Sequence, residues 1–358
     1  MRKIALVNQK GGCGKTTTAI NLACCLGSRG RRVLLLDLDP QGHAGLGLGV
    51  RPDQLQETTY EVLLGEIPIT KAIQSLRENI DAVFSNVVLS AFDQVMAGIE
   101  GREYKLKQCL NDIENGYDYL ILDSPPNIGL LTFNGLVACE EAIIPVDSCS
   151  FSIHGLGKLI ETIRIIEQKV GKVSIRILAT NIDLRTRFSR HVVETLRAYD
   201  PTKCFQTVIR TCTRLREAAS QGKPIIEYDK HCAAFHDYEN LTEEIFSQEA
   251  EMQMGVLRSE FDLEARDQVR KQTEREIIFT LEAPINVSVK IAGDFNNWMP
   301  QALHLTNFPD RPMWQRVISL KPGSYRYKYL VDGQWVTDPR SDATVDDAYG
   351  GANSVIHV

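Results

Sequence analysis

Lys10-Gly11-Gly12-Cys13-Gly14-Lys15-Thr16-Thr17 carries the densest chemistry in this chain. Its glycines let a backbone turn N–H groups inward around an anion, and the helix that follows adds its dipole. In such a loop Lys15 reaches the β- and γ-phosphates, the Thr16 hydroxyl ligates Mg²⁺, and Thr17 donates next, to the α-phosphate. Two acidic segments complete the set. Asp37-Leu38-Asp39-Pro40-Gln41-Gly42 follows the apolar run Val33–Leu36, and Asp123-Ser124-Pro125-Pro126 follows Tyr119–Leu122. One carboxylate of this kind holds Mg²⁺ through water, and another orients an attacking water. Asp37, nearer the strand interior, reads as the more structural of its pair.

The elements that must position these residues are legible as periodicity. Ile4–Val7, Val33–Leu36, Tyr119–Leu122, Ala142–Val146 and Ile175–Ala179 read as buried parallel strands, with helical patterns between them. The expected fold is α/β, a P-loop nucleoside-triphosphatase (NTPase) domain with a mainly parallel sheet covered by helices, over residues 1–246. Carboxylates at the carboxyl ends of its strands lie on the ligand edge. Residues 247–275 read as an amphipathic linker helix, with Met254, Leu257, Phe261, Ala265 and Val269 at helical spacing. From Glu276 the period becomes two, and residues 276–358 read as a small antiparallel, immunoglobulin-like β-sandwich holding all three tryptophans.

Bulk properties narrow the class. The 358 residues carry a formal net charge of −6, which is no general footprint for nucleic acid. Nine cysteines without a C-x-x-C pair exclude a zinc ribbon and fit a reducing, cytoplasmic setting. Cys13 reads as the filler of a variable loop position. No apolar run is long enough to span a bilayer, and a chain ending in a strand-like Val355–Val358 disfavours a basic amphipathic membrane anchor.

The motifs Gln9–Gly12, Asp37–Gly42, Asp123–Pro126, Arg214–Ala218 and Gly222–Ile226 resemble those of the ParA/MinD family of deviant Walker-A ATPases, and within it the partition ATPases ParA and Soj. The resemblance implies a homodimer formed on ATP binding, with two ATPs and Mg²⁺ buried between subunits. It implies that Gly11, Gly12, Cys13, Gly14, Lys15, Thr16 and Thr17 bind nucleotide and that Lys10 crosses to the partner's phosphates. Catalysis then falls to Lys10, Lys15 and Asp39, and metal binding to Thr16 and Asp123. A ParB-like activator and non-specific DNA are the partners such proteins use. Two DNA-contacting arginines of the family fall here at Thr211 and Ala233, leaving Arg210, Arg214, Arg216 and Lys230 to compensate.

Residues 276–358 resemble the glycogen-binding module of AMP-activated protein kinase β subunits. Gly293–Trp298, Gly323–Tyr329, Val331–Trp335 and Gly350–Ile356 carry the likeness. It implies α-glucan contacts from the stacking pair Trp298 and Trp335, from Lys328 and Asn353, and from the apolar surface of Tyr349. Trp314 reads as core. The combined expectation is an ATP-dependent switch coupled to a glucan-binding module, for positioning or regulating a cargo. The alternative is a chromosome or plasmid partition ATPase whose β-module binds protein.

Overall fold

Two apolar layers, one on each face of a sheet, organise the first 250 residues. The computed structural model describes residues 1–250, 274–308, 311–347 and 351–358, and the chain divides into two units, Met1–Ala250 and Glu251–Val358. In the first unit, eight strands run in chain order as β1 (Arg2–Leu6), β2 (Val33–Asp37), β3 (Gln74–Arg77), β4 (Ile80–Val83), β5 (Tyr119–Asp123), β6 (Glu141–Asp147), β7 (Ser174–Ile182) and β8 (Cys204–Arg210). Their spatial order is β3-β4-β2-β5-β1-β6-β7-β8. Only β3 is antiparallel to its neighbour.

Successive side chains of a strand face opposite ways. Ala5, Leu34, Leu36, Leu120 and Leu122 join one buried layer with residues of helices Leu130–Ala138, Ser150–Val170 and Arg187–Tyr199. Ile4, Leu6, Val33, Leu35 and Ile121 join the other, with helix Lys15–Ser28 and the helix over 233–250. Each of the five apolar runs expected to form buried strands does so. β3, β4 and β8 carry no such run: β3 is four residues long and polar but for Leu76, and in β8, at a sheet edge, the polar pair Gln206-Thr207 interrupts the apolar residues. Residue 246 lies inside the helix over 233–250. The linker residues Met254, Leu257, Phe261, Ala265 and Val269 lie outside the described residues.

The register sets the site. Leu6 and Asp37 both stand opposite Asp123, so the loops after β1, β2 and β5 leave the sheet at one level. Asp147, ending β6, stands opposite Thr180 of β7. Chain leaving β1 crosses β5 to reach β2, while chain leaving β5 crosses β1 to reach β6. The connections diverge there and open a crevice at the carboxyl edge.

The second unit is a two-sheet β-structure. β9 (Arg275–Glu282), β12 (His304–Phe308) and β13 (Arg311–Leu320) form one sheet in the order β12-β13-β9. β10 (Val289–Gly293), β11 (Gln301–Ala302), β14 (Ser324–Val331), β16 (Ala343–Asp346) and β17 (Ala352–His357) form the other, with β15 (Gln334–Val336) pairing β14. Every ladder is antiparallel. Phe279, Leu281 and Leu320 from the first sheet pack with Val289, Ile291, Tyr327 and Tyr329 from the second. Trp314 lies partly buried against this core, its Nε1–H donating to the Pro284 carbonyl at 3.3 Å.

One close approach supports the nucleotide edge of the first unit. Gly222 has φ +63°, and a Cβ there would lie 2.5 Å from the Cα of Gly49 and 2.7 Å from its nitrogen. Backbone atoms cannot step aside as a side chain can. Gly222→Ala is expected to destabilise the first unit by about 1–3 kcal/mol. Urea unfolding followed by circular dichroism measures this, and an unchanged midpoint would show that the two loops separate freely.

Candidate functional site

Gly12 and Gly14 adopt φ of +75° and +94°, the left-handed region that costs glycine least. Gly14 is also the N-cap of helix Lys15–Ser28, and no side chain caps that helix. Its first-turn N–H groups therefore face a cavity of about 520 Å³ with no side-chain acceptor. Gly11, Gly12, Gly14, Lys15, Thr16 and Thr17 line that cavity. Cys13 does not. It is fully buried, its Sγ lies 3.2 Å from the Lys10 carbonyl, and burial raises its thiol pKa. The Thr180 hydroxyl donates to the Cys13 carbonyl at 2.7 Å, tying the loop to β7.

The two acidic strand ends divide in role. Asp37 turns inward: its Oδ1 accepts the Asp39 N–H at 2.9 Å, and it is fully buried. Asp39 lines the cavity, and its Oδ1 accepts the Gln41 N–H at 3.0 Å. Asp123 is also fully buried, and neither of its carboxylate oxygens has a hydrogen-bond partner. Burial pushes the acids of both Asp37 and Asp123 upward, and the carboxylates around them add to the rise. Lys15 and the adjacent Thr16 hydroxyl oppose it at Asp123. Two orphaned carboxylate oxygens beside a threonine hydroxyl are oxygen donors of the kind a hard divalent cation takes. The cradle of N–H groups next to them suits a polyphosphate. Thr16 and Asp123 could thus hold Mg²⁺, and the loop an attached phosphate chain.

Lys10 stands at the lip of the loop. Its backbone N–H donates to Asn8 Oδ1 at 3.0 Å, and its carbonyl accepts Lys15 Nζ at 3.2 Å. Its own Nζ lies 2.5 Å from Asp147 Oδ2. Burial alone would lower the ammonium pKa, but the Asp147 carboxylate outweighs it and the net shift is upward. Asp147 was absent from the sequence reading, although its position at the end of an apolar strand was the available signal. Pro126, Leu215, Ala218 and Lys223, which also line the cavity, lie in three of the motifs that carry the family resemblance, although the sequence assigned them no role.

The basic residues near β8 are unequal. Arg210 is held by Asp237 at 2.7 Å. Arg214 pairs with Glu217 at 2.7 Å and Asp229 at 3.6 Å. Arg216 and Lys230 are exposed.

On the second unit, Lys328 stands opposite Ala292, one place beyond the inward-facing Tyr327, and Trp335 stands opposite Leu330. Alternation puts Lys328, Leu330 and Trp335 on the sheet face turned away from the core. Asn353 precedes the buried Ser354, the partner of Tyr327, and so shares that face. The rings of Trp298 and Trp335 lie 6.4 Å apart, inclined at 66°. Trp335 is 49% exposed. Trp298 has φ +59°, rare for a bulky residue, and its Nε1–H donates to Asp294 Oδ1 at 3.1 Å. Lys328 Nζ is paired with Asp347, whose Oδ1 also accepts the Gly351 N–H at 2.8 Å. Tyr349 lies outside the described residues.

A glycine-rich loop at a helix N-terminus, with two acidic strand ends beside it, defines a P-loop nucleotide-binding domain. A family model described as an AAA domain matches residues 1–177. Sporulation initiation inhibitor protein Soj of Bacillus subtilis (strain 168) is 37% identical over 245 residues, covering 68% of this chain and 97% of that protein. Chromosome partitioning protein ParA of Myxococcus xanthus (strain DK1622) is 40% identical over 245 residues, covering 65% and 85%. The chain belongs to the ParA/Soj family of partition ATPases. Among solved structures, cobyrinic acid a,c-diamide synthase of Mycobacterium smegmatis with bound ADP and magnesium is 33% identical, with a TM-score of 0.56 over 62% of this chain and 91% of that one. In the C-terminal unit, a family model described as the glycogen recognition site of AMP-activated protein kinase matches residues 284–358. Among the described residues, no helix is long and apolar enough to cross a membrane.

The buried acids make a prediction about pH. Their folded-state pKa values exceed the unfolded ones, so the folded state binds protons more tightly. Stability from this pair is lost as pH rises from the ordinary carboxylate value through the raised one. Without divalent cation, Asp123→Asn should flatten the fall in melting temperature between about pH 5 and 8 relative to the parent. Parallel thermal-unfolding profiles for the two proteins would contradict an uncompensated Asp123.

Proposed function

We propose that this chain is an ATP-hydrolysing, ATP-dependent dimer switch whose appended β-module binds α-glucan, and that it positions or regulates a glucan-containing cargo. The unpartnered Asp123 carboxylate beside an uncapped helix N-terminus carries the ATPase part of this reading. Thr16 and Asp123 would hold Mg²⁺, which would supply charge neutralisation to the phosphate chain. Lys15 and the loop N–H groups bind the phosphate chain. Asp39, fixed by Gln41 and directed at the cavity, aligns the water that displaces ADP from the γ-phosphorus. Lys10 acts from one subunit on the other's nucleotide. A ParB-like activator is the partner the family suggests.

The outer sheet face shared by Trp335 and the largely buried Lys328 and Asn353, with the Trp298 ring beside Trp335, supports the glucan part. Aromatic faces cover the apolar faces of sugar rings, while amide and ammonium groups bond hydroxyls. A single module of this kind binds weakly, about −4 to −8 kcal/mol, and dimerisation adds avidity toward a polymer with many chain ends. The second reading, a partition ATPase that holds non-specific DNA and uses the module to bind protein, is favoured by the exposed Arg216 and Lys230. It is weakened by the carboxylates that hold Arg210 and Arg214.

An ATPase assay with glycogen, with random duplex DNA and with neither distinguishes the two. Stimulation by glycogen supports the first reading, and salt-sensitive stimulation by DNA supports the second. Lys10→Ala should leave folding intact and lower turnover by roughly 10³-fold. Unchanged turnover and unchanged dimer mass would remove the sandwich dimer. Trp298→Ala/Trp335→Ala should abolish glycogen co-sedimentation, and equal pelleting of parent and variant would remove the glucan assignment.

A further inference from the structure

The Lys10 side chain is not aimed outward. Its backbone is fixed on both sides, by Asn8 Oδ1 at the N–H and by Lys15 Nζ at the carbonyl. Asn8 Nδ2 in turn donates to the Pro145 carbonyl of β6 at 2.6 Å. From this anchored position the side chain folds back onto the end of the same strand, where Nζ meets Asp147 Oδ2. The lysine is 36% exposed and the carboxylate 14%.

Asp147 is itself held. Its Oδ1 accepts the Cys149 N–H at 3.3 Å, and its backbone sits in register with Thr180, whose hydroxyl ties down the Cys13 carbonyl. The carboxylate therefore cannot follow Lys10 if the side chain swings away. A lysine contacting phosphates in a second subunit must leave this pair. Asp147 then loses its Lys10 partner within a largely enclosed setting, on the edge where polyphosphate arrives, and that loss opposes departure.

We infer that Asp147 is a positioning residue that holds Lys10 within its own subunit, so that association exchanges this internal pair for the partner's nucleotide phosphates and Asp147 sets the ATP concentration at which association occurs. The inference rests on the sandwich-dimer reading. The pair is a checkpoint: the loop binds nucleotide through Lys15 and its N–H groups, and the second subunit's phosphates compete with Asp147 for the Lys10 ammonium.

Light scattering of the full chain during titration with a non-hydrolysable ATP analogue tests this. Asp147→Asn keeps the shape and removes the charge. Its association midpoint should fall about fivefold below the parent's, the scale of a partly exposed ion pair. The same substitution in a Lys10→Ala background should have no effect, because the two residues act as one unit. A midpoint for Asp147→Asn at or above the parent's, or an equal shift in both backgrounds, overturns the proposal.

A second readout needs no dimer. Amine-selective labelling of the nucleotide-free monomer, read by mass spectrometry, should rise several-fold at Lys10 in Asp147→Asn and stay constant at Lys15. Unchanged Lys10 labelling overturns the internal pair. Absence of association in the parent protein overturns the dimer reading and the threshold with it, while the labelling still reports whether the pair forms.

Discussion

Asp123 ends its strand with both carboxylate oxygens buried and unbonded, and the rest of the nucleotide site serves to place and tolerate that charge. A lone carboxylate in so dry a position is costly unless it is protonated or meets a cation. The sheet register brings Asp37 level with it; beyond burial, the Asp123 carboxylate raises the proton affinity of Asp37, and Asp39 raises that of Asp123. Lys15 and the uncapped end of helix Lys15–Ser28 supply the opposing positive potential. The cradle and the acid thus belong to one electrostatic arrangement: each is unfavourable alone, and a metal–polyphosphate complex satisfies both.

The two units solve recognition differently. The first gathers ligand groups from several loops at the divergence of a parallel sheet, so its site depends on long-range register between strands far apart in sequence. The second presents Lys328, Trp335 and Asn353 from neighbouring strands of one antiparallel sheet, where alternation decides which residues share a face, and Trp298 from a turn. Loss of packing beneath the first site would disperse its groups. The second should tolerate changes to individual outer-face residues without losing the scaffold, because Phe279, Tyr327 and Tyr329 are packed from the other side.

Much of this was legible from residue order. Buried parallel strands announce themselves as unbroken apolar runs, so β1, β2, β5, β6 and β7 were readable. β3 and β8 lie at the sheet edges and have no such run. Short, exposed β15 and β16 escaped for a similar reason. The glycine loop and both acidic strand ends were found because their chemistry is local in sequence. Asp147 was not, because its meaning comes from Lys10, 137 residues away. The pairs Arg210–Asp237 and Arg214–Asp229 were equally invisible, since they form only when separate elements converge, whereas Arg214–Glu217 is local to one helix.

The inclination of Trp298 to Trp335 has a consequence of its own. Trp298 follows Asn297 in a second left-handed backbone step, at φ of +53° and +59°, and Asp294 holds the indole nitrogen. The Trp298 wall is therefore held by main chain and hydrogen bond, and Trp335 supplies the more exposed wall. Two platforms meeting at 66° form a corner. A polymer that bends from one sugar to the next can lie along both walls, whereas a flat, ribbon-like chain can rest against only one. On the proposed glucan reading, such a corner favours curvature in the ligand before any hydroxyl is read.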